Sequence, residues 1–271
     1  MKDYEPLVVR GDCVDELANF SADLVIADPP YNIGFQYDDY DDSLPHDEYM
    51  QFSRDWILEA YECLNDAGTF WLVISDEYVS ELDVLAKQIG FNRRSWIVWY
   101  YTFGVNCERN FSRSHTHLLY YTKGKDFVFN YDSMDVRVPS ARQLVYNDKR
   151  ANPNGRLPDN TWILRPSDVA QGFGEDEDTW HIPRVAGTFK ERVEGAANQL
   201  PELLVSRIIN ACSLPGQTVL DPFGGTGTTA VVARKLGRQS ITIEQSPKWS
   251  EIIYQRVQQC KAGDAIAGRA S

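Results

Sequence analysis

Two consecutive prolines, Pro29 and Pro30, follow directly on the apolar run Leu24 to Ala27. So short a run, apolar throughout and closed by breakers, predicts a strand buried on both faces of a parallel sheet. The prolines cannot extend the ladder or enter a helix interior. They fix two φ angles and remove two N–H donors. What remains is rich in acceptors: the Asp28 carboxylate and the Pro29 carbonyl, with the ring of Tyr31 beside them. That corner suits a flat ring carrying an amino group, which donates two hydrogen bonds and stacks on the tyrosine. Taken alone, the tetrad also fits a Pro-Pro turn with a capping Asp.

A second stretch, Thr218 to Thr229, reads T-V-L-D-P-F-G-G-T-G-T-T. It predicts a short strand, a glycine-rich turn and a helix over Thr229 to Leu236. Glu244 closes the next apolar strand, Ser240 to Ile243, 20 positions after Gly224. Glycines let a cofactor approach the backbone, and a carboxylate at the end of the next strand takes ribose hydroxyls. No Lys precedes Thr228, so this is not a phosphate-cradling Walker A loop. Alone, these glycines fit a nucleotide site or a structural turn.

Together the stretches resemble the amino-methyltransferases of DNA, which move a methyl group from S-adenosylmethionine to an exocyclic base nitrogen. D-P-P-Y looks like the family's catalytic motif and D-P-F-G-G-T-G-T-T like its cofactor motif. The catalytic motif comes first, which is the permuted order of the β group. The resemblance implies an α/β fold, a doubly wound and mostly parallel Rossmann-like sheet with an inserted target-recognition region. It implies catalytic roles for Asp28, Pro29, Pro30 and Tyr31. It implies cofactor contacts from Asp12, Cys13, Asp28, Asn198, Gln199, Asp221, Phe223, Gly224, Gly225, Thr226, Gly227, Thr228 and Glu244. Ala196 to Leu204 occupies the place of the family's H-P-x-Q-K-P-x-x-L. Gln199, Pro201 and Leu204 match, whereas Ala196 and Leu200 replace its His and Lys. Asp at the head of the tetrad favours adenine N6 over cytosine N4, where Ser is commoner. An inactive subunit that binds S-adenosylmethionine and a methyltransferase for small molecules or proteins are the readings from other classes. Implied partners are duplex DNA, a second copy of the chain and a cognate restriction endonuclease, in a bacterial or phage-encoded setting.

The expected division is a catalytic half at 1–130, a target-recognition region at 131–184, a cofactor half at 185–259 and a flexible tail at 260–271. The motifs lie in the first and third parts. The net charge of −12 runs against nucleic-acid binding, which needs Lys and Arg. The distribution answers this. Arg93 to Arg165 holds 12 basic and 6 acidic residues, a local +6, leaving −18 elsewhere. Within that segment Arg109, Arg113, Arg137, Arg142, Lys149 and Arg150 are the candidate DNA contacts. The acidic runs Asp38 to Asp42 and Glu175 to Asp178 are expected as solvated loops.

An apolar content of 43% supports a sizeable core, and no apolar run reaches the ~18 residues of a membrane span. No secretory signal pattern opens the sequence. Five scattered cysteines without a C-x-x-C point to a reduced cytoplasm. His115 and His117 share one face of a predicted strand, but no third ligand accompanies them, so no metal site is expected.

In chain order, Asp12 reads as a helix N-cap ahead of Cys13 to Asn19. Asn32 to Leu44 is a long aromatic and acidic connection beside the tetrad, fit for a lid or an idle loop. A helix over 46–64 carries Tyr49, Phe52, Trp56, Ala60 and Leu64 as a packing stripe. Strands are expected at Thr69 to Ile74, Ser95 to Phe103 and His115 to Thr122, and helices at Glu77 to Ile89 and 201–212. Periodicity fades from Tyr131 to Arg184. Tryptophans there, such as Trp162 and Trp180, are expected to fill a core rather than stack bases.

Overall fold

A computed structural model of the chain describes residues 1–35, 40–105, 109, 111–133, 136–138, 140–144, 146–164, 185, 191–196 and 198–267. Tyr37, Asp38, Asn106, Asn110, Phe173, Glu175 to Asp178 and Trp180 therefore lie outside the described residues.

The elements are β1 (Leu7–Arg10), α1 (Cys13–Glu16), β2 (Ala22–Ala27), α2 (His46–Cys63), β3 (Leu64–Ile74), α3 (Val79–Ile89), β4 (Asn92–Val105), β5 (Arg113–Thr122), α4 (Ala141–Leu144), β6 (Thr161–Leu164), α5 (Glu202–Cys212), β7 (Thr218–Asp221), α6 (Thr228–Lys235), β8 (Gln239–Glu244) and α7 (Pro247–Gln258). The strands form one sheet in the order β1-β8-β7-β2-β3-β5-β4-β6. β1, β8, β7, β2 and β3 run parallel. β5 enters antiparallel between β3 and β4, and β6 lies parallel to β4.

Period-two alternation sorts the core onto two faces. Leu24, Ile26, Trp71, Val73, Leu118 and Tyr120 pack beneath α5 and α6. Val25, Ala27, Phe70, Leu72, Leu119 and Tyr121 pack against α2 and α3, with Trp56, Ile57 and Leu82 fully buried. Helices on both faces make the doubly wound arrangement that the apolar strands predict. β3 starts five residues before the predicted Thr69. Its polar start is carried by cross-strand side chains, as Ser21 Oγ donates to Asn65 Oδ1 at 2.7 Å and Asn65 Nδ2 to Asp23 at 2.9 Å.

Residues 136–138 and 156–164, within the expected target-recognition region, join the main core: Val136, Val138 and Trp162 are buried there, and β6 extends the sheet. Apolar side chains there share one core cluster with those of α5. Trp162, 6.3 Å from Trp71 between ring centroids, is core as expected. The tail is not frayed as far as Ala267. Ile266 is buried in the core, Gly263 N–H donates to the Lys235 carbonyl and Ala267 N–H to Glu202. Finally, Asp42 is no solvated member of its acidic run. It is 2% exposed and accepts backbone N–H groups.

Candidate active site

β2 and β7 are neighbours, paired through Leu24–Val219 and Val25–Leu220. Their carboxyl ends therefore deliver Asp28 and Asp221 to one crevice, the usual ligand position in an open α/β sheet. A cavity of about 450 Å³ opens there. Its wall includes Asp28, Pro29, Pro30 and Tyr31 on one side and Asp221, Phe223, Gly224, Gly225, Thr226 and Thr228 on the other. Asp12, Cys13, Asn198 and Glu244 also line it. Both predicted motifs thus meet across one space.

On the tetrad side, Tyr31 donates its hydroxyl to Asp28 Oδ1 at 2.7 Å. Tyr49 donates to the Pro30 carbonyl at 2.8 Å, one residue beyond the carbonyl of Pro29. Burial pushes the Asp28 carboxyl up to about 7, against the lowering effect of the tyrosine hydroxyl and with a further rise from Asp221. Asp221 is pushed up to about 6, again chiefly by burial, while Thr229 and the Phe223 N–H oppose the shift. Asp221 adds to the rise at Asp28 and Glu244 to that at Asp221, so this desolvated acidic wall favours a cation placed against it.

On the glycine side, the turn fits a close approach. A Cβ at Gly224 meets Thr242 Cγ2 at 2.5 Å and Ile253 Cδ1 at 2.8 Å, so no larger residue fits without a shift. Gly227 has φ +76° at the N-cap of α6, a left-handed conformation natural only to glycine. Glu244 accepts from Gly225 N–H at 2.7 Å and from Ser246 N–H at 2.8 Å. The acid at the end of β8 therefore braces the glycine turn. Asp12 caps α1 through the Val14 N–H at 2.9 Å, as predicted, and also lines the cavity. Burial pushes the Cys13 thiol far up, so it serves as an apolar wall and not as a thiolate.

Two predicted contacts lie elsewhere. Gln199 is buried off the cavity wall, where its amide accepts from Val193 N–H and donates to the Glu191 carbonyl at 2.6 Å. Gly227 acts behind the wall as the helix cap. Conversely, the cavity is also lined by Phe35, Tyr40, Phe52, Gln245, Ser246, Lys248 and Trp249. Phe52 belongs to the predicted packing stripe but also touches Phe223, at 6.3 Å between centroids. Lys248 Nζ sits 5.0 Å from the Trp249 ring, in the first turn of α7 directly after Glu244. That proximity to a strand-end acid was the available signal.

Among the basic candidates, Arg109, Arg142, Lys149 and Arg150 are exposed, Arg150 bonded to Asp148. Arg113 pairs with Glu77 at 2.7 Å and Asp76 at 3.4 Å. Arg137 is turned inward, its side chain 11% exposed, donating to the Gly155 carbonyl and pairing with Asp132. His117 accepts from Trp96 Nε1 at 2.9 Å beside the ring of His115, and burial holds its pKa down to about 4.

The family model for DNA methylases of the N6 and N4 type matches residues 22–255. The chain belongs to this DNA methylase family. Among curated relatives, type II methyltransferase M.HpaI of Haemophilus parainfluenzae is 34% identical over 239 residues, 88% of this chain and 68% of that protein. DNA adenine methyltransferase YhdJ of Escherichia coli (strain K12) is 30% identical over 260 residues, 92% of this chain and 82% of that protein. Among solved structures, the M1.HpyAVI–SAM complex matches with a TM-score of 0.63 at 20% identity, covering 93% of this chain and 99% of that one. The cytosine-N4-specific PvuII DNA methyltransferase matches at 0.67 and 15% identity, covering 94% and 87%. This methylase is thus an amino-methyltransferase of the β group with S-adenosylmethionine as methyl donor, and the sheet has the family's fold. The cavity fits that donor: a glycine turn in which Gly224 leaves no room for a Cβ, the Glu244 carboxylate at the end of β8, and two buried carboxyls suited to a sulfonium.

Proposed function

We propose that this methylase transfers its methyl group to the N6 of an adenine flipped out of duplex DNA. The observation that carries the reading is the tetrad corner, where Asp28 and the Pro29 carbonyl stand as acceptors beside the Tyr31 ring on the cavity wall. An adenine amino nitrogen is a poor nucleophile because its lone pair is delocalised into the ring. Asp28 accepts one amino proton and the Pro29 carbonyl the other, which draws the nitrogen toward a tetrahedral shape. Positive charge developing on that nitrogen then faces fixed acceptors in a dry site. Tyr31 stacks the base and fixes its plane. S-adenosylmethionine, when bound, supplies an electrophilic methyl on sulfur. Gly224 and Gly225, Glu244 and Asp12 hold it, and Asp221 with Asp28 favours its charge. Alignment of this kind contributes about 7–11 kcal/mol in favourable cases. The Asp at position 28 and the adenine methyltransferase among the relatives support adenine.

Cytosine N4 is the second reading. It has the same chemistry, and a cytosine-N4 enzyme shares the fold. Arg109, Arg142, Lys149 and Arg150 serve in this proposal as phosphate contacts, and a second copy and a restriction endonuclease as partners.

The test is nucleoside mass spectrometry of unmethylated plasmid after incubation with methyl-labelled S-adenosylmethionine. Labelled N6-methyladenine is the expected product, and Asp28→Ala abolishes it while cofactor binding persists. Labelled N4-methylcytosine overturns the choice of base. Retained turnover in Asp28→Ala overturns the role of that carboxylate.

A further inference from the structure

Two prolines fix the middle of the tetrad, but nothing in their own geometry fixes where Tyr31 leads. The backbone that leaves it is irregular. Asn32 sits at φ +55°, in the left-handed region that costs a non-glycine residue energy unless its surroundings hold it there.

The holding group is Asp42. Its carboxylate accepts from Asn32 N–H at 2.7 Å, Ile33 N–H at 3.1 Å and Phe35 N–H at 2.9 Å. Its backbone carbonyl takes the Gly34 N–H at 2.8 Å. Four successive amides after the tetrad thus converge on one residue, an anion-binding nest filled by the protein's own carboxylate. The Asn32 side chain extends the closure, accepting from Leu44 N–H at 2.7 Å and donating to the Leu44 carbonyl and to the Tyr78 hydroxyl at 2.9 Å. Phe35 and Tyr40, on either side of this ring of bonds, line the cavity with Tyr31.

We infer that Asp42 is a positioning residue for methyl transfer: it closes the segment after the tetrad and so fixes Tyr31 and the neighbouring acceptors against the target base. The inference rests on the transfer reading above. Asp28 and the Pro29 carbonyl must meet two amino protons at once, and an error of about 1 Å in such alignment costs on the order of 100-fold in rate. A full carboxylate is required because both oxygens accept: Oδ1 takes the Asn32 N–H and Oδ2 those of Ile33 and Phe35. An amide in its place presents one acceptor oxygen and turns an NH2 toward a donor on the other side.

The experiment compares wild type, Asp42→Asn and Asp41→Asn on unmethylated plasmid, reading kcat for label transfer, Kd for S-adenosylmethionine and Tm. Asp41→Asn removes the same charge one position earlier on an exposed side chain and is expected to behave as wild type. Asp42→Asn is expected to lower kcat on the order of 100-fold with little change in cofactor Kd. Wild-type kcat in Asp42→Asn overturns the inference. So does a loss of kcat that runs in parallel with lost cofactor binding and a lowered Tm, which is general destabilisation. Hydrogen exchange on the wild-type protein tests the clamp even if the variant does not fold. Ile33 is 48% exposed, so protection of its amide comes from Asp42 and not from burial. Slow exchange across Asn32 to Phe35 is expected, and fast exchange overturns the clamp. Wild type that leaves plasmid unlabelled overturns the transfer reading instead, and exchange then decides the clamp by itself.

Discussion

The carboxyl of Asp28 is held up to about 7 by burial, above the usual carboxylate range. Folding therefore favours the protonated form between about pH 4 and pH 7. Across that window the native state binds more protons than the unfolded chain, so this group's contribution to stability falls as pH rises. Catalysis needs the opposite form, because only the carboxylate accepts an amino proton without offering one. Asp28→Asn is accordingly expected to abolish transfer yet raise Tm by a few degrees at pH 8, with the gain shrinking toward pH 5. Thermal melts across that range check it, and a Tm that falls at pH 8 contradicts the charged, desolvated Asp28. Tyr31 is coupled to the same equilibrium, since its hydroxyl bond to Asp28 lowers the pKa. Tyr31→Phe keeps the stacking ring and removes the bond. The acid limb of its kcat/KM profile is expected to move to higher pH by up to about one unit, the equivalent of one hydrogen bond. An unmoved limb shows that the hydroxyl does not tune Asp28.

The strand-and-breaker elements were legible because local chemistry alone dictates them. Leu24 to Ala27 has no polar position to face water, and Pro29 ends it whatever surrounds it. The glycine turn was equally readable, since Gly224 meets Thr242 and Ile253 wherever β8 and α7 pack. What escaped reading depends on partners distant in sequence. Gln199 matches a family position but is drawn inward by Glu191 and Val193. Asp42 looks like one acid in a solvated run until the chain turns four amides onto it. The tail reads as small and polar, but Ile266 finds a hole beside α5, and the Ala267 N–H reaches a carboxylate, Glu202, already paired with Lys235 at 2.7 Å. That placement makes residues 260–267 part of the fold. Ile266→Ala is expected to cost about 2–3 kcal/mol, the typical loss for a buried aliphatic cut to the β carbon. Urea unfolding measures it. An effect under ~0.5 kcal/mol, the range of an exposed position, shows that the tail does not contribute.

An acidic protein that acts on DNA has to separate its charge in space, and the count of +6 in Arg93 to Arg165 against −18 elsewhere sets that division. The folded chain divides the segment's cations further. Arg137 serves the protein, its guanidinium bonded to Gly155 and Asp132, and Arg113 ties the start of β5 to Asp76 and Glu77 in the connection after β3. Arg142 and Lys149 remain exposed on the surface of the same segment. Neutralising a phosphate releases condensed counterions, so each true contact contributes about 0.9 to the slope of log affinity against log salt. Arg142→Gln and Lys149→Gln are each expected to weaken binding to plasmid DNA and flatten that slope by about 1. Arg137→Gln is expected to leave the slope unchanged and lower Tm, because it strands the buried Gly155 carbonyl. Binding titrations at several salt concentrations decide the matter. If Arg137→Gln flattens the slope while Arg142→Gln and Lys149→Gln do not, the DNA lies on another face of the sheet, and the exposed cations of this segment serve solubility alone.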